Sequence, residues 1–230
     1  MPTIQSSTVS VPRANGKDTM ESFLAKPEGT GPFPGMVVIH EIFGLNDNIR
    51  SIASRFAEQG YAALAVDMFS NRNRTICMMQ LIHGMLFRPL KNAMLADLQS
   101  TMTFLRQQAD VDPSRTAVVG FCMGGGYALQ LAVTDKGMKA ASSFYGAVPK
   151  PLEAFVQSCP IIGSYPEKDF SVVDARELDA LLEKNSIPHD IKFYANTQHS
   201  FFNRQRTPFE VEASKDAWQR MLSFFSEHLN

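Results

Sequence analysis

A sharp turn between a strand and a helix restricts the fold of this chain more than any other feature. The apolar residues 116–119 predict a buried strand, and residues 125–132 predict a helix. Between them lies Gly-Phe-Cys-Met-Gly, with Cys122 at its centre. Flanking glycines let the backbone turn tightly enough to project the central side chain from a helix N-terminus, where unpaired N–H groups favour an anion. Cys122 is therefore a candidate nucleophile. The alternative is a buried structural cysteine beside a glycine-rich packing turn.

The rest of the chain alternates strands with helices after an initial hairpin, which the Asn15-Gly16 pair predicts. The predicted strands are 7–11, 21–25, 36–40, 61–66, 116–121, 140–145, 160–163 and 191–194. The predicted helices are 46–59, 75–108 with a break near Pro89, 125–132, 171–184 with a capping box of Ser171 and Asp174, and 211–229. We expect an α/β protein with one domain over 1–230 and a mainly parallel central sheet with helices on both faces. A nucleophile between a strand and a helix of such a sheet is typical of the α/β-hydrolase fold, with the site at the carboxyl ends of the strands.

Charge and cysteine content exclude several classes of function. The 22 Lys and Arg residues balance the 23 Asp and Glu residues, so we expect no binding to nucleic acid or to an acidic membrane surface. No apolar stretch is long enough to span a membrane, and the polar residues 1–13 contain no signal-peptide core. Three widely spaced cysteines, Cys77, Cys122 and Cys159, argue against a disulfide framework and favour the cytoplasm. The Cys and His spacing is not that of a zinc site, so we expect neither metal nor cofactor.

A cysteine nucleophile in this fold needs a histidine base and an acid that orients the histidine, in the chain order nucleophile, acid, histidine. Of the five histidines, only His199 lies in the loop after the last predicted strand, whereas His40 ends an early strand and is a candidate supporting group. Asp169 follows the strand at 160–163, with Glu167 as the second candidate for the acid. The alternative role of Asp169 is to cap the next helix.

Stabilising an oxyanion needs two N–H donors. One is expected from Met123, directly after the nucleophile, and the other from the loop at residues 40–44. Glu41 in this loop lies between a buried strand and the apolar residues Ile42 and Phe43. Its carboxylate is either a solvated loop charge or, near Cys122, a group that holds the thiol neutral or accepts its proton.

With these residues the chain resembles the dienelactone hydrolases (carboxymethylenebutenolidases), which are cysteine members of the α/β-hydrolase fold. The most specific matches are His-Glu-Ile-Phe-Gly at 40–44 and Gly-Phe-Cys-Met-Gly-Gly at 120–125. The resemblance extends from about residue 37 to residue 225. Further matching stretches are 67–69, 168–169, 199–203, 217–218 and 224–225.

The resemblance implies a mechanism. Cys122 would attack a lactone carbonyl, and His199 and Asp169 would complete a catalytic triad. Glu41 would pair with the resting thiol until bound substrate releases its carboxylate to take the thiol proton. A thiol that is neutral at rest is protected from oxidation.

The resemblance also implies an oxyanion hole made by the N–H groups of Ile42 and Met123, and arginines that bind a substrate carboxylate. Where the best-known members of the family place an arginine behind the histidine loop, this chain has Asn203. The candidate substrate-binding residues are Phe43, Arg72, Arg74, Arg204 and Arg206.

The expected function is cysteine-dependent hydrolysis of lactones or activated esters through an acyl-enzyme, by a monomer or small homo-oligomer without a cofactor. A thiolate is readily expelled again when the leaving group is poor, which favours activated esters, lactones or thioesters over amides. A thioesterase or acyl transferase on the same scaffold is the alternative. A non-catalytic ligand-binding or thiol-sensing protein is a third reading, against which Asp169 and His199 argue.

Overall fold

The computed structural model describes residues 3–229, apart from the side chains of residues 85 and 86. The strands are β1 (Ile4–Pro12), β2 (Thr19–Pro27), β3 (Phe33–Ile39), β4 (Ala62–Val66), β5 (Val111–Phe121), β6 (Ala140–Phe144), β7 (Ile161–Pro166) and β8 (His189–Tyr194). The helices are α1 (Asp47–Glu58), α2 (Arg74–Phe87), α3 (Ala93–Arg106), α4 (Met123–Thr134), α5 (Val172–Lys184), α6 (Phe201–Arg204) and α7 (Pro208–His228), with a 3₁₀ helix at Leu152–Gln157. The strands are mainly parallel to their sheet neighbours and alternate with helices, which confirms the predicted α/β class.

The chain divides into two compact units, one ending at Thr116 and the other beginning at Ala117. The expectation of one domain over 1–230 stays a prediction. In the first unit the strand order is β1-β2-β4-β3, with β1 and β2 antiparallel and β3 parallel to β4. The predicted hairpin turn is confirmed, because Arg13 N–H donates to the Asp18 carbonyl at 2.9 Å and Gly16 has a φ of +65°.

A buried ion pair holds the loop after β4 in the first unit. The fully buried Arg13 lies 2.7 Å from Asp97 of α3, and its guanidinium also donates to the carbonyls of Met68 and Ser70. Asp97 in turn accepts from Ala14 N–H at 3.0 Å. The β1–β2 hairpin, α3 and the loop at 67–72 are thereby joined through one buried ion pair.

In the second unit residues 117–121 of β5 pair with β6, and β6, β7 and β8 follow as parallel neighbours in chain order. Every residue of β6 and β7 is buried, as expected for strands of a covered parallel sheet. Helix α4 lies close to the end of β6 because two glycines meet there. A Cβ on Gly146 would lie 2.4 Å from the carbonyl carbon of Gly125, so both positions need glycine.

The sequence-based element assignments are largely confirmed, including the break of the 75–108 segment into α2 and α3. The predicted capping box at the start of α5 is wrong. Ser171 has a helical φ of −82° and makes no cap bond, because its hydroxyl donates instead to Asp169 at 2.6 Å, while Asp174 pairs with Lys150. The sequence analysis also missed α6 and the 3₁₀ helix, and β8 begins at His189 rather than at residue 191. Within residues 3–229, no helix is both long and apolar enough to cross a membrane.

Candidate active site

The turn between β5 and α4 holds Cys122 in a strained conformation, with φ +54° and ψ −115°. Side chains other than glycine rarely adopt a positive φ, and such strain persists only where surrounding structure holds it. Here Cys122 N–H donates to the Phe144 carbonyl of β6 at 2.9 Å, and the Cys122 carbonyl accepts from Gly126 N–H at 3.2 Å. These two bonds fix the half-buried Cys122 at the first turn of α4.

Gly120 is required by the same turn. A Cβ at this position would lie 1.9 Å from the carbonyl oxygen of Gly124 and 2.7 Å from the nitrogen of Gly125. Both are backbone atoms, which cannot move aside as a flexible side chain can. The glycine before Cys122 therefore has a steric cause that the sequence pattern anticipated.

Asp169 and His199, which follow β7 and β8, are hydrogen-bonded to each other. The Nδ1–H of His199 donates to Oδ2 of Asp169 at 2.8 Å, and the Asp169 side chain is only 3% exposed. Oδ1 of Asp169 accepts from the N–H of Ser171 at 3.0 Å and from its hydroxyl at 2.6 Å. Burial alone would raise the pKa of Asp169, but the bonds from His199 and Ser171 hold it below its usual 3.8. Both carboxylate oxygens are thus occupied, and the imidazole is oriented by a charged acceptor.

The other side of the His199 ring faces Cys122. Burial would lower the pKa of His199, but the hydrogen bonds with Asp169 and Cys122, and the charges of both, raise it to about 9. Since Nδ1 is bound to Asp169, the nitrogen left for the thiol is Nε2. Cys122, His199 and Asp169 therefore form one hydrogen-bonded chain, in which a proton can pass between sulfur and imidazole.

Aromatic rings surround the imidazole on two sides. Tyr145 lies edge-on with its ring centroid 5.0 Å from that of His199, and Phe170 lies at 5.2 Å. Tyr145 is buried, whereas Phe170 is largely exposed and covers the imidazole from the surface. The sequence analysis missed both rings and Ser171. The only sequence signal for Ser171 is its position two residues after Asp169, which is typical of an Asx turn.

The predicted substrate-binding residues behind His199 have different surroundings. Arg206 donates to the carbonyl of His199 through both terminal nitrogens at 3.3 Å and pairs with Glu210 at 3.2 Å. Arg204 is exposed. The side-chain oxygen and nitrogen of Asn203 are buried and have no hydrogen-bond partner among residues 3–229.

The loop after β3 belongs to the first unit and is held there by His40. The fully buried imidazole donates from Nδ1 to the Glu41 carbonyl at 2.5 Å and accepts from Met68 N–H at Nε2, 3.1 Å away. Burial lowers the pKa of His40, which keeps the ring neutral and able to accept at Nε2. Glu41 is nearly buried, while Ile42 and Phe43 are partly exposed.

Arg72 and Arg74 both bind acceptors within the first unit. Arg74 donates to the Ile42 carbonyl at 2.7 Å, and its guanidinium lies 5.8 Å from the ring centroid of Phe69. Arg72 lies 3.6 Å from Asp18 and 3.7 Å from Asp97. A substrate carboxylate would compete with these existing acceptors.

No group of three or more His, Cys, Asp or Glu side chains in the described part of the chain could hold a metal ion. The first unit has a cavity of about 580 Å³ between α2 and the start of α3. It is lined by Met79, Gln80, His83, Gly84, Arg88, Lys91, Asn92, Ala93 and Ala96. None of the predicted catalytic residues lines it.

Comparison with known proteins shows similarity along nearly the whole chain. A model of the dienelactone hydrolase family matches residues 20–229. A "putative carboxymethylenebutenolidase" of Saccharolobus solfataricus is 32% identical over 243 residues, covering 89% of this chain and 93% of that protein. One of the same name from Yersinia pestis is 30% identical over 234 residues, covering 92% and 85%. The crystal structure of a "putative dienelactone hydrolase" from Klebsiella pneumoniae subsp. pneumoniae has a TM-score of 0.83 at 27% identity, covering 97% of this chain and 99% of that one.

Proposed function

Because the chain belongs to the dienelactone hydrolase family, we propose that its hydrolase activity depends on Cys122, which attacks a lactone or an activated ester and carries the acyl group. The observation that carries the proposal is the hydrogen-bonded chain from Cys122 through His199 to Asp169. A buried carboxylate, an imidazole and a half-buried thiol in this order form a nucleophile with its base and its orienting acid.

The proposed reaction has two halves. In the first, the thiol proton passes to His199, whose raised pKa favours the imidazolium, and the sulfur attacks the carbonyl carbon. The tetrahedral intermediate then expels the alkoxide or enolate, which receives that proton from the imidazolium. In the second, His199 removes a proton from water, whose oxygen attacks the thioester, and the Cys122 sulfur leaves with a proton. Asp169 keeps Nδ1–H of the imidazole bound throughout, so that Nε2 faces the sulfur.

The oxyanion is the next requirement of this proposal. Met123 is the first residue of α4, and the first N–H groups of a helix have no partner within the helix. We assign Met123 N–H as one donor, and by the family resemblance Ile42 N–H as the other. The role of Glu41 in pairing with the resting thiol comes from the same resemblance. Its near-complete burial is consistent with a functional carboxylate rather than a solvated loop charge.

The substrate class follows from the leaving group. A thiolate leaves the tetrahedral intermediate more readily than an ordinary alkoxide, so a cysteine nucleophile works best when the leaving group is an enolate, an aryl oxide or a thiolate. Thioester hydrolysis or acyl transfer is the second candidate. It is favoured by the engagement of Arg72, Arg74 and Arg206 with acceptors inside the protein, which leaves carboxylate recognition without a dedicated arginine among these three.

The test is trapping of an acyl adduct by intact-mass measurement, using a carboxylated dienelactone, neutral aryl esters and acyl thioesters. We expect a mass increase of one acyl group that is absent in Cys122→Ala, together with loss of turnover. Cys159→Ala is the matched control, because burial and the charge of Asp135 raise the pKa of the Cys159 thiol to about 12. Undiminished turnover in Cys122→Ala would refute the proposal. Fastest labelling of Cys122 by the dienelactone or an aryl ester would favour lactone or activated-ester hydrolysis. Fastest labelling by an acyl thioester would favour thioester hydrolysis or acyl transfer.

We further propose a cytoplasmic location and a small-molecule substrate as the partner. Support comes from the cysteines Cys77, Cys122 and Cys159, all of which are free. Size-exclusion chromatography with light scattering would decide between a monomer and a small homo-oligomer.

A further inference from the structure

A buried carboxylate on α7 binds the loop that carries His199. Glu210 is the third residue of α7 and is only 1% exposed. Its Oε1 accepts from Gln198 N–H at 3.2 Å and from Arg206 Nη1 at 3.2 Å. Its Oε2 accepts from Arg206 N–H at 2.5 Å. One side chain therefore joins the residue before His199 to a residue seven positions after it.

Arg206 completes the enclosure by binding His199 itself. Both terminal nitrogens of its guanidinium lie 3.3 Å from the His199 carbonyl oxygen. The backbone of the loop is thus held on the amide side of His199 by Glu210 and on its carbonyl side by Arg206. No bond of this set involves the imidazole, which stays available to Asp169 and Cys122.

Capping of α7 does not account for these contacts. The sequence Thr207-Pro-Phe-Glu210 has the form of a capping box, in which the glutamate would reach back to the N–H of Thr207. Thr207 makes the capping bond that this pattern predicts, because its hydroxyl accepts from Glu210 N–H at 3.2 Å. The carboxylate of Glu210 binds Gln198 and Arg206 instead. A residue in the first turn of α7 therefore holds the loop that carries His199.

The loop needs such support because its backbone is strained. Asn196 and Ser200, which flank His199, have φ values of +57° and +65°. Serine rarely adopts this left-handed conformation, which asparagine tolerates better, so the φ of Ser200 in particular depends on the surrounding structure. A buried carboxylate in turn is stable only when its oxygens are hydrogen-bonded. The same hydrogen bonds therefore hold the loop in its conformation and satisfy the buried carboxylate of Glu210.

We propose that Glu210 and Arg206 form a clamp that positions His199 for proton transfer to and from Cys122. The inference rests on the proposed function, because it gives the clamp a role in that reaction. Glu210 and Arg206 are positioning residues and do not touch the reacting atoms. Arg206, which the sequence suggested as a substrate-binding residue, acts here through the His199 carbonyl.

The first test is Glu210→Gln, which keeps the size of the side chain but places an amide donor against an N–H donor. We expect kcat to fall about 10- to 100-fold, as for a catalytic group displaced by a fraction of an ångström, with KM changed less than about twofold. Arg206→Met, at a side chain that is 34% exposed, tests the same clamp if Glu210→Gln does not fold. In the double variant kcat should fall little further than in the more impaired single variant, because both substitutions break the same clamp.

The second readout is the titration of the His199 ring by NMR, which needs no turnover. In Glu210→Gln we expect the pKa of His199 to fall from about 9 toward 6.5, because a displaced ring loses part of its bonds to Asp169 and Cys122. Arg220→Met is the matched control. Arg220 lies in α7, like Glu210, and the substitution removes its ion pair with Asp190 of β8. We expect kcat and the titration of His199 to stay unchanged.

A lowered Tm in Glu210→Gln with unchanged kcat and unchanged His199 titration would overturn the clamp and leave Glu210 as a structural residue. Failure of the proposed function is a different result, namely turnover that survives Cys122→Ala. The titration separates the two, because it reports the position of the His199 ring whatever reaction the protein performs.

Discussion

Replacing Asp169 by Asn tests the orientation of the imidazole. In the structure Oδ1 is bound twice by Ser171 and Oδ2 accepts from Nδ1–H of His199. Asparagine can keep the Ser171 bonds through its oxygen, and its NH₂ group then faces Nδ1. The imidazole must respond by moving its proton to Nε2, which can no longer accept the thiol proton. By the effect of the same tautomer change in serine proteases, we expect kcat to fall on the order of 10⁴-fold.

The size of the accompanying pKa change follows from the bond that is lost. A hydrogen bond to a charged group contributes about 1.5–3 kcal/mol, and one pKa unit corresponds to about 1.4 kcal/mol. Removing the Asp169 charge should therefore lower the pKa of His199 by about one to two units. The pKa of His199 is raised from 6.5 to about 9, which is more than the expected decrease. The remainder is attributed to Cys122.

The assay is the pH profile of kcat/KM together with the NMR titration of His199. Glu167→Gln is the control, since Glu167 was the second candidate acid and its N–H is bound to the Tyr194 carbonyl of the neighbouring strand. We expect that variant to keep wild-type activity. An Asp169→Asn enzyme with activity within tenfold of wild type, or with an unchanged His199 pKa, would refute the assigned orientation.

Three further predictions concern stability and the turn. Gly120→Ala should lower kcat/KM on the order of 100-fold and also lower Tm, because the new Cβ would lie 1.9 Å from the Gly124 oxygen and must displace the turn. Asp97→Ala should cost about 3–5 kcal/mol in urea denaturation, since it leaves the fully buried Arg13 unpaired; a loss below 1 kcal/mol would contradict this role. The pKa of His199 is raised on folding, so its contribution to stability is complete below pH 6.5 and is lost as pH rises through about 9. Unfolding free energies that stay constant over that range would contradict the shift.

The sequence predicted what depends on local pattern and on chain order. The positions of Asp169 and His199 after successive strands, and of Cys122 between a strand and a helix, follow from hydrophobic periodicity and from the geometry of parallel sheets. Their hydrogen bonds agree with that expectation. Whether they act as a catalytic triad stays a prediction.

What the sequence could not give are the contacts in which one side chain chooses between several partners. Ser171 has the pattern of a helix cap, yet its hydroxyl donates to Asp169. Glu210 has the pattern of a capping box, yet its carboxylate binds Gln198 and Arg206. In each case the side chain leaves the helix-capping bond for a partner outside the helix, because a bond that involves a buried carboxylate is stronger than a bond at a solvated helix end.

The same competition bears on the substrate. Arg74 holds the carbonyl of Ile42, and Arg206 holds the carbonyl of His199, so each is bound to the backbone of a loop assigned to the reaction. A substrate carboxylate that recruited either arginine would release that loop and so disturb the proposed oxyanion donor or the proposed base. These two arginines keep the loops in position only if the substrate does not draw them away from the carbonyls that they bind. We therefore predict that, in the proposed reaction, selectivity rests on the acyl group and its leaving group rather than on a substrate charge.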